Sequence, residues 1–178
     1  RRAVRTATRV CGANTLLVTG HDRSAVAFAC AGLPGFVTVN ETFERGIGSS
    51  IAHAVRVLPP QASALLVLLA DQPLIGQPHL QAIVAGWSGA DDEIVATSYA
   101  GIRGAPVLFP RSCFAELAEL DGDRGGIELR QHQSDDPGEV HPVDASTVAP
   151  GAPSGPMVPR TARTRAGLMM QSRFQSWR

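Results

Sequence analysis

Asp71, in Asp71-Gln72-Pro73, directly follows seven apolar residues, Ala64-Leu65-Leu66-Val67-Leu68-Leu69-Ala70. Such a run reads as a strand buried on both faces, and the proline stops it. A carboxylate there stands on the rim where open α/β sheets bind ligands. Burying an unpaired charge is costly, so the group is solvated, paired with a metal, or held by hydrogen-bond donors. A metal or substrate role and a plain strand-to-loop turn both satisfy that requirement. Asp123 lies between glycines in Gly122-Asp123-Arg124-Gly125, where it could close an Asx-turn or reach a ligand. Together Asp71 and Asp123 would suit Mg²⁺, whose hard oxygen ligands bridge to phosphates while most of its waters stay in place.

Other small residues sit where ligands are held. Gly46-Ile47-Gly48-Ser49-Ser50 is read as a loop opening onto a helix. Hydroxyls at a helix start either cap the orphan amides or leave them free for an anion. The spacing is neither a Walker A loop nor a G-x-G-x-x-G fingerprint. Gly20 closes an earlier strand as a close-approach position, with His21 either near a ligand or in a surface turn; Asn40 closes the next. Ser49 and Ser50 have no convincing His-Asp partners, which argues against triad hydrolysis. No histidine pair has a zinc spacing.

These residues need elements to carry them. Arg2 to Val10 has apolar residues at helical spacing, and Thr15 to Thr19 reads as a buried strand. A helix is expected from about Ser24 to Ala31, a strand over Phe36 to Asn40, and a helix carrying Ile51, Ala54, Val55 and Leu58. Pro78 sits where another helix could start. Glu93 to Thr97 is a strand, Gly101 to Gly104 a flexible turn, Pro106 to Phe109 extended, and Arg111 to Leu120 a helix. A turn at Gly122 to Gly126, a helix from near Ile127 and a last strand at Val140 to Val143 complete the pattern. Strands alternating with helices predict an α/β fold with a mostly parallel sheet covered on both faces.

Composition bounds the rest. At 178 residues the chain fits one domain that buries roughly 70% of its unfolded surface. Sixteen basic residues balance sixteen acidic ones, so no global field draws nucleic acid. Cys11, Cys30 and Cys113 are odd in number and widely spaced, as reduced small hydrophobes would be, with a lone nucleophile as the alternative. No apolar run reaches membrane-span length, and the early arginines precede no signal-like core, so the cytoplasm is expected. Residues 1–146 read as the domain. Residues 147–178, Pro/Gly-rich and then basic, read as a linker and flexible tail, at best a weakly docked arm.

Six motifs then fall in order: Val18-Thr-Gly20-His21, Asn40, Gly46-x-x-Ser49-Ser50, Leu68-x-x-Asp71-Gln-Pro73, Arg103-Gly104-x-Pro106 and Leu120-x-Gly122-Asp123-x-Gly125. Over roughly Arg1 to Asp144 the chain resembles the molybdenum cofactor cytidylyltransferase branch of the MobA-like nucleotidyltransferases. The resemblance implies a three-layer Rossmann-like sheet of the glycosyltransferase-A type. It implies Mg²⁺-dependent transfer of a cytidylyl group from CTP to molybdopterin, with release of pyrophosphate. GTP, a sugar-phosphate acceptor, or an inactive cofactor-binding role are the alternatives, and a molybdoenzyme or its chaperone is the implied downstream partner. By position Asp71 and Asp123 are the implied catalytic carboxylates, and Asp71 and Asp144 the implied metal ligands. Gly46, Ser49 and Ser50 are implied in the nucleotide pocket, Gly104, Pro106 and Asp123 in the acceptor-side pocket, and Gly20, His21 and Asn40 among the binding residues. Members of that family begin with a central strand and a glycine-rich loop. This sequence starts in the helix after them, so the neighbouring strands are expected to be unpaired or differently joined, and this chain to transfer little.

Overall fold

The computed structural model describes residues 1–72, 74–100, 102–123, 140–144 and 166–171. Five helices are described: α1 (Arg2–Cys11), α2 (Arg23–Cys30), α3 (Ile47–Val57), α4 (Gln77–Gly86) and α5 (Phe114–Ala118). The strands are β1 (Thr15–Thr19), β2 (Phe36–Val39), β3 (Ala64–Leu69), β4 (Ile94–Tyr99), β5 (Ile102–Pro110), β6 (Val140–Asp144) and β7 (Ala166–Gln171). They form one sheet in the order β2-β1-β7-β3-β5-β4-β6. Every pairing is parallel except the two made by β5, which runs antiparallel to β3 and to β4.

Alternation along the strands sorts their side chains into two cores. Leu16, Val18, Leu65, Val67, Ile94, Ala96, Val107 and Phe109 pack with Ile51 and Ala54 of α3 and Leu117 of α5. Leu17, Ala64, Leu66, Leu68, Val95 and Leu108 pack with Ala3, Val4 and Ala7 of α1 and Leu80 and Ile83 of α4. Ala64 to Val67 are all buried, as expected of a strand with helices on either side.

Three expectations are corrected here. The first concerns the tail. Ala166–Gln171 is not part of a loose arm but a strand in the middle of the sheet. It pairs with β1 through Thr15↔Leu168 to Val18↔Gln171, and with β3 through Ala64↔Ala166 to Leu69↔Gln171. The facing edges of β1 and β3 are therefore joined through β7, which satisfies ladder groups that would otherwise be left unpaired. A short apolar run, Ala-Gly-Leu-Met-Met-Gln, does this inside a segment whose overall composition reads as linker.

The second is at Gly101 to Gly104, expected as a flexible turn, of which residues 102–104 are described. Those residues belong to β5, and Ser98↔Arg103 and Thr97↔Gly104 pair them with β4. The third is at 46–50, expected as a loop. Helix α3 starts at Ile47, so Gly48, Ser49 and Ser50 lie in its first turn. The segment Arg111 to Leu120 is a short 3₁₀ turn leading into α5. Pro73, Gly101, the turn beyond Asp123, the helix expected from Ile127, and residues 145–165 and 172–178 lie outside the described residues. No described helix is long and apolar enough to cross a membrane.

Candidate active site

The strand ends after β1, β2, β3 and β4 share one edge of the sheet, and the candidate residues gather there in two clusters. The first is built on Asn40, which is buried at the end of β2. Its Nδ2 donates to Ser49 Oγ at 2.9 Å and to Ser50 Oγ at 3.0 Å. Its Oδ1 accepts from the Thr42 N–H at 3.0 Å and the Thr42 hydroxyl at 2.9 Å. Ser49 Oγ donates in turn toward the Gly46 carbonyl at 2.8 Å and the Thr42 carbonyl at 3.1 Å. The two serines are 7% and 1% exposed. Their hydroxyls tie the start of α3 and the 42–46 turn to the end of β2.

The loop at 120–123 is latched onto the same helix start. The Gly48 N–H donates to the Gly122 carbonyl at 2.9 Å, which occupies one of the orphan amides that an anion would use. Arg45 pairs with Asp121. That hydrogen bond first, and the Gly122 N–H second, hold the Asp121 carboxyl below its ordinary range. Gly46 has φ +96°, and a Cβ there would lie 2.5 Å from the Gly122 oxygen and 2.7 Å from Asp123 Oδ1. The motifs 46–50 and 120–123, far apart in sequence, thus form one unit around a glycine where a larger residue would be strained and would clash. Gly46→Ala is expected to destabilise the chain by about 1–3 kcal/mol, from positive φ and the clash together. Thermal unfolding checks this; an unchanged midpoint would mean the latch is absent.

Gly20 is a close-approach position, but for Phe43: a Cβ there would sit 2.4 Å from the Phe43 Cβ. His21 is largely exposed, 3.6 Å from Asp22, with its ring tilted toward Phe43 at 6.0 Å.

The second cluster surrounds the exposed Asp71. Backbone bonding in its turn is sparse: the Gln72 N–H reaches the Leu69 carbonyl at 3.4 Å and the Ile75 N–H reaches that of Gln72 at 3.2 Å. The Gln72 side chain does more. Its Nε2 donates to the Ala105 carbonyl at 2.7 Å and to the Tyr99 hydroxyl at 3.2 Å. The Tyr99 hydroxyl itself donates to Ala105 O at 2.7 Å. Burial raises the Tyr99 phenol above its ordinary range, so it stays a donor at neutral pH. Gly104 lies against the Tyr99 ring, where a Cβ would be 3.3 Å from Cε2. Pro106 is buried, and its carbonyl accepts from Thr97 Oγ1 at 2.9 Å. Gly104 and Pro106 thus stand beside the Asp71 loop.

The profile of the MobA-like NTP transferase domain matches residues 1–137. The chain belongs to the MobA-like NTP transferase family. A stretch of 111 residues is 31% identical to purine catabolism protein PucB of Bacillus subtilis (strain 168), covering 57% of this chain and 53% of PucB. The chain therefore spans about half the length of that curated relative. Among solved structures, Rv0371c of Mycobacterium tuberculosis H37Rv in complex with manganese is similar with TM-score 0.62 and 29% identity, over 80% of this chain and 74% of that one. A homologue of Rv0371c from Mycobacterium sp. strain JC1 gives TM-score 0.57 at 29% identity, over 80% and 70%.

For a member of the MobA-like family, the metal question is which carboxylates meet. Among the described residues no group of three His, Cys, Asp or Glu could hold an ion. Asp144 ends β6 opposite Ser98, and β4 and β5 lie between β6 and β3. That is three ladder spacings, about 14 Å in all, so the sheet alone does not bring Asp144 to Asp71. One exposed carboxylate still fits Mg²⁺ or Mn²⁺ chemistry, because such ions are held by one or two carboxylates plus substrate phosphates. Burial pushes the Cys11 thiol up to about 11, which leaves it protonated and unsuited to be a nucleophile. A cavity of about 530 Å³ lined by Asn14, Leu16, Phe36 and Pro59 lies at the opposite strand ends. Sequence reasoning quoted Gln72 only as part of a motif and passed over Tyr99. Neither has a periodicity or spacing that could have revealed the contact between them.

Proposed function

We propose that this chain is a nucleotidyltransferase that moves a cytidylyl group from CTP to molybdopterin and releases pyrophosphate. The observation that carries the reading is the solvent-facing Asp71 carboxylate just past the end of β3, in a chain of the MobA-like family. The fold type that fits is the three-layer, glycosyltransferase-A-like arrangement, with helices over both sheet faces. In the reaction an oxygen of the acceptor's terminal phosphate attacks the α-phosphorus of CTP. The bond from that phosphorus to the bridging oxygen breaks, and pyrophosphate carries away the electron pair. The attacking oxygen is already anionic, so no protein nucleophile and no general base are needed.

The chain's own work is placement and charge balance. Asp71 would hold a divalent cation, Mg²⁺ in the cell, which when bound neutralises the triphosphate. Asn40, Ser49, Ser50 and Gly46 keep the 40–50 loop and Asp123 in one rigid wall on the nucleotide side, with Gly20 and His21 at its rim. Gly104 and Pro106 form the acceptor side. Asp144 is a ligand of the same ion only if the Asp71 loop leans across β5 and β4. A molybdoenzyme or its chaperone would take the product, in the cytoplasm.

Pyrophosphate release tests the assignment directly. With molybdopterin and Mg²⁺, CTP is expected to support slow release, in keeping with a chain expected to transfer little, and GTP much less. Equal turnover with GTP moves the assignment to the sister activity. Release with a sugar phosphate but not with molybdopterin removes the acceptor. Nucleotide binding without release from either leaves a cofactor-binding protein.

A further inference from the structure

Strands β4 and β5 change register at one point. Their partners run Val95↔Leu108 and Ala96↔Val107, then Thr97↔Gly104 and Ser98↔Arg103. Ala105 and Pro106 fall in the gap, two residues of β5 with no partner on β4. The ladder to β3 has its last paired residues at Val67↔Val107, so among the described residues they have no partner on that side either. A bulge leaves backbone groups out of the ladder, and burying them without a donor is costly.

Side chains meet both carbonyls instead. Pro106 is buried, and its oxygen accepts from Thr97 Oγ1 at 2.9 Å. Ala105 O accepts from the Tyr99 hydroxyl and from Gln72 Nε2, each at 2.7 Å. Thr97 and Tyr99 are two apart on β4, so they project from one face and bring one hydroxyl to each carbonyl. Each is backed from another element. Thr97 is fully buried, and with its proton given to Pro106 its oxygen is left to accept from His79 Nε2 of α4, 2.9 Å away. Gln72 Nε2 donates to the Tyr99 hydroxyl at 3.2 Å, while its Oε1 accepts from the Leu69 N–H at 3.4 Å.

We infer that Thr97 and Tyr99 are positioning residues that hold this two-residue bulge open. Their hydroxyls thereby fix Gly104 to Pro106, the acceptor side of the site, beside the Asp71 turn. Without them the hairpin can slip toward the unbulged register, in which Pro106 would oppose Thr97 and Gly104 would oppose Tyr99. A slip of two residues keeps every side chain on its face but carries 102–104 along β4 by about 7 Å. This deepens the proposed function and rests on it for the identity of the acceptor.

The test uses Thr97→Val, which keeps the shape and loses the hydroxyl, Thr97→Ser, which keeps the hydroxyl, and Tyr99→Phe. Each is titrated with molybdopterin and, separately, with CTP and Mn²⁺, and amide hydrogen exchange is followed across 102–107. Thr97→Val is expected to weaken molybdopterin binding by about tenfold, the scale of one or two hydrogen bonds, and to leave CTP binding within about twofold. Exchange at Gly104 and Val107 should quicken, because the bulge opens locally. Thr97→Ser should restore both readouts. Tyr99→Phe should lose less in the same direction, and it carries the comparison if Thr97→Val does not fold. A residue that merely supports the fold weakens both ligands alike or neither, and either result overturns the inference. Unchanged exchange across the bulge overturns it too. Failure of the wild type to bind molybdopterin counts against the proposed function alone. Exchange in Thr97→Val and its restoration in Thr97→Ser then decide the bulge by themselves.

Discussion

Asp71→Asn should lower pyrophosphate release by about two to three orders of magnitude, the loss typical when one preorganised charge-stabilising group is removed from a transition state. Asn keeps the volume and turn preference of Asp but not the charge that a hard cation requires. Asp71 is exposed and buries nothing, so the thermal midpoint should move little. The two measurements together separate function from fold. Equal activity and equal Mn²⁺ affinity in the mutant would return Asp71 to an ordinary turn residue. A large drop in midpoint would show a structural part that its exposure does not suggest.

Leu168→Pro is the second large effect. Leu168 is opposite Thr15 of β1 and Leu66 of β3, so it sits where the sheet has a neighbour on each side. Proline removes an N–H and brings a ring into a central strand, at a cost of about 3 kcal/mol or more. Against a total stability of about 5–15 kcal/mol, that is enough to populate unfolded chain at physiological temperature. Leu168→Val, which keeps the amide and favours strands, should stay folded. Urea unfolding followed by circular dichroism reads both. A proline variant with the wild-type midpoint would mean that β7 is not in the sheet.

What was legible in the sequence follows from how local each signal is. The Ala64–Leu69 strand, helix α1 and strand β1 are set by contiguous apolar patterns, and they stand where those patterns put them. Helix α3 begins earlier than its apolar stripe because its start is capped by the Gly122 carbonyl, a contact across more than seventy residues. The Gly101 to Gly104 segment reads as a turn from its glycines, yet pairing with β4 makes residues 102–104 strand. The central strand was the least legible. Leu168-Met169-Met170 has no strong pattern of its own, and its place is set by two neighbours distant in sequence. Asn40, Ser49 and Ser50 were found as a group, but that their hydroxyls bind one another depends on burial that spacing does not report. Gln72 joins Leu69 to Ala105 through a side chain, a contact no periodicity encodes.

The position of β7 also sets a timetable. A chain emerges from the ribosome in order, and β1 and β3 are out long before residues 166–171, the last strand described. Until those six residues arrive, β1 and β3 lack the partner that their facing edges have in this structure, and such edges recruit other chains. The closing contacts are also among the most distant in sequence, which slows their formation. Synthesis rate and chaperone supply should therefore govern the yield of soluble protein more strongly than its final stability does.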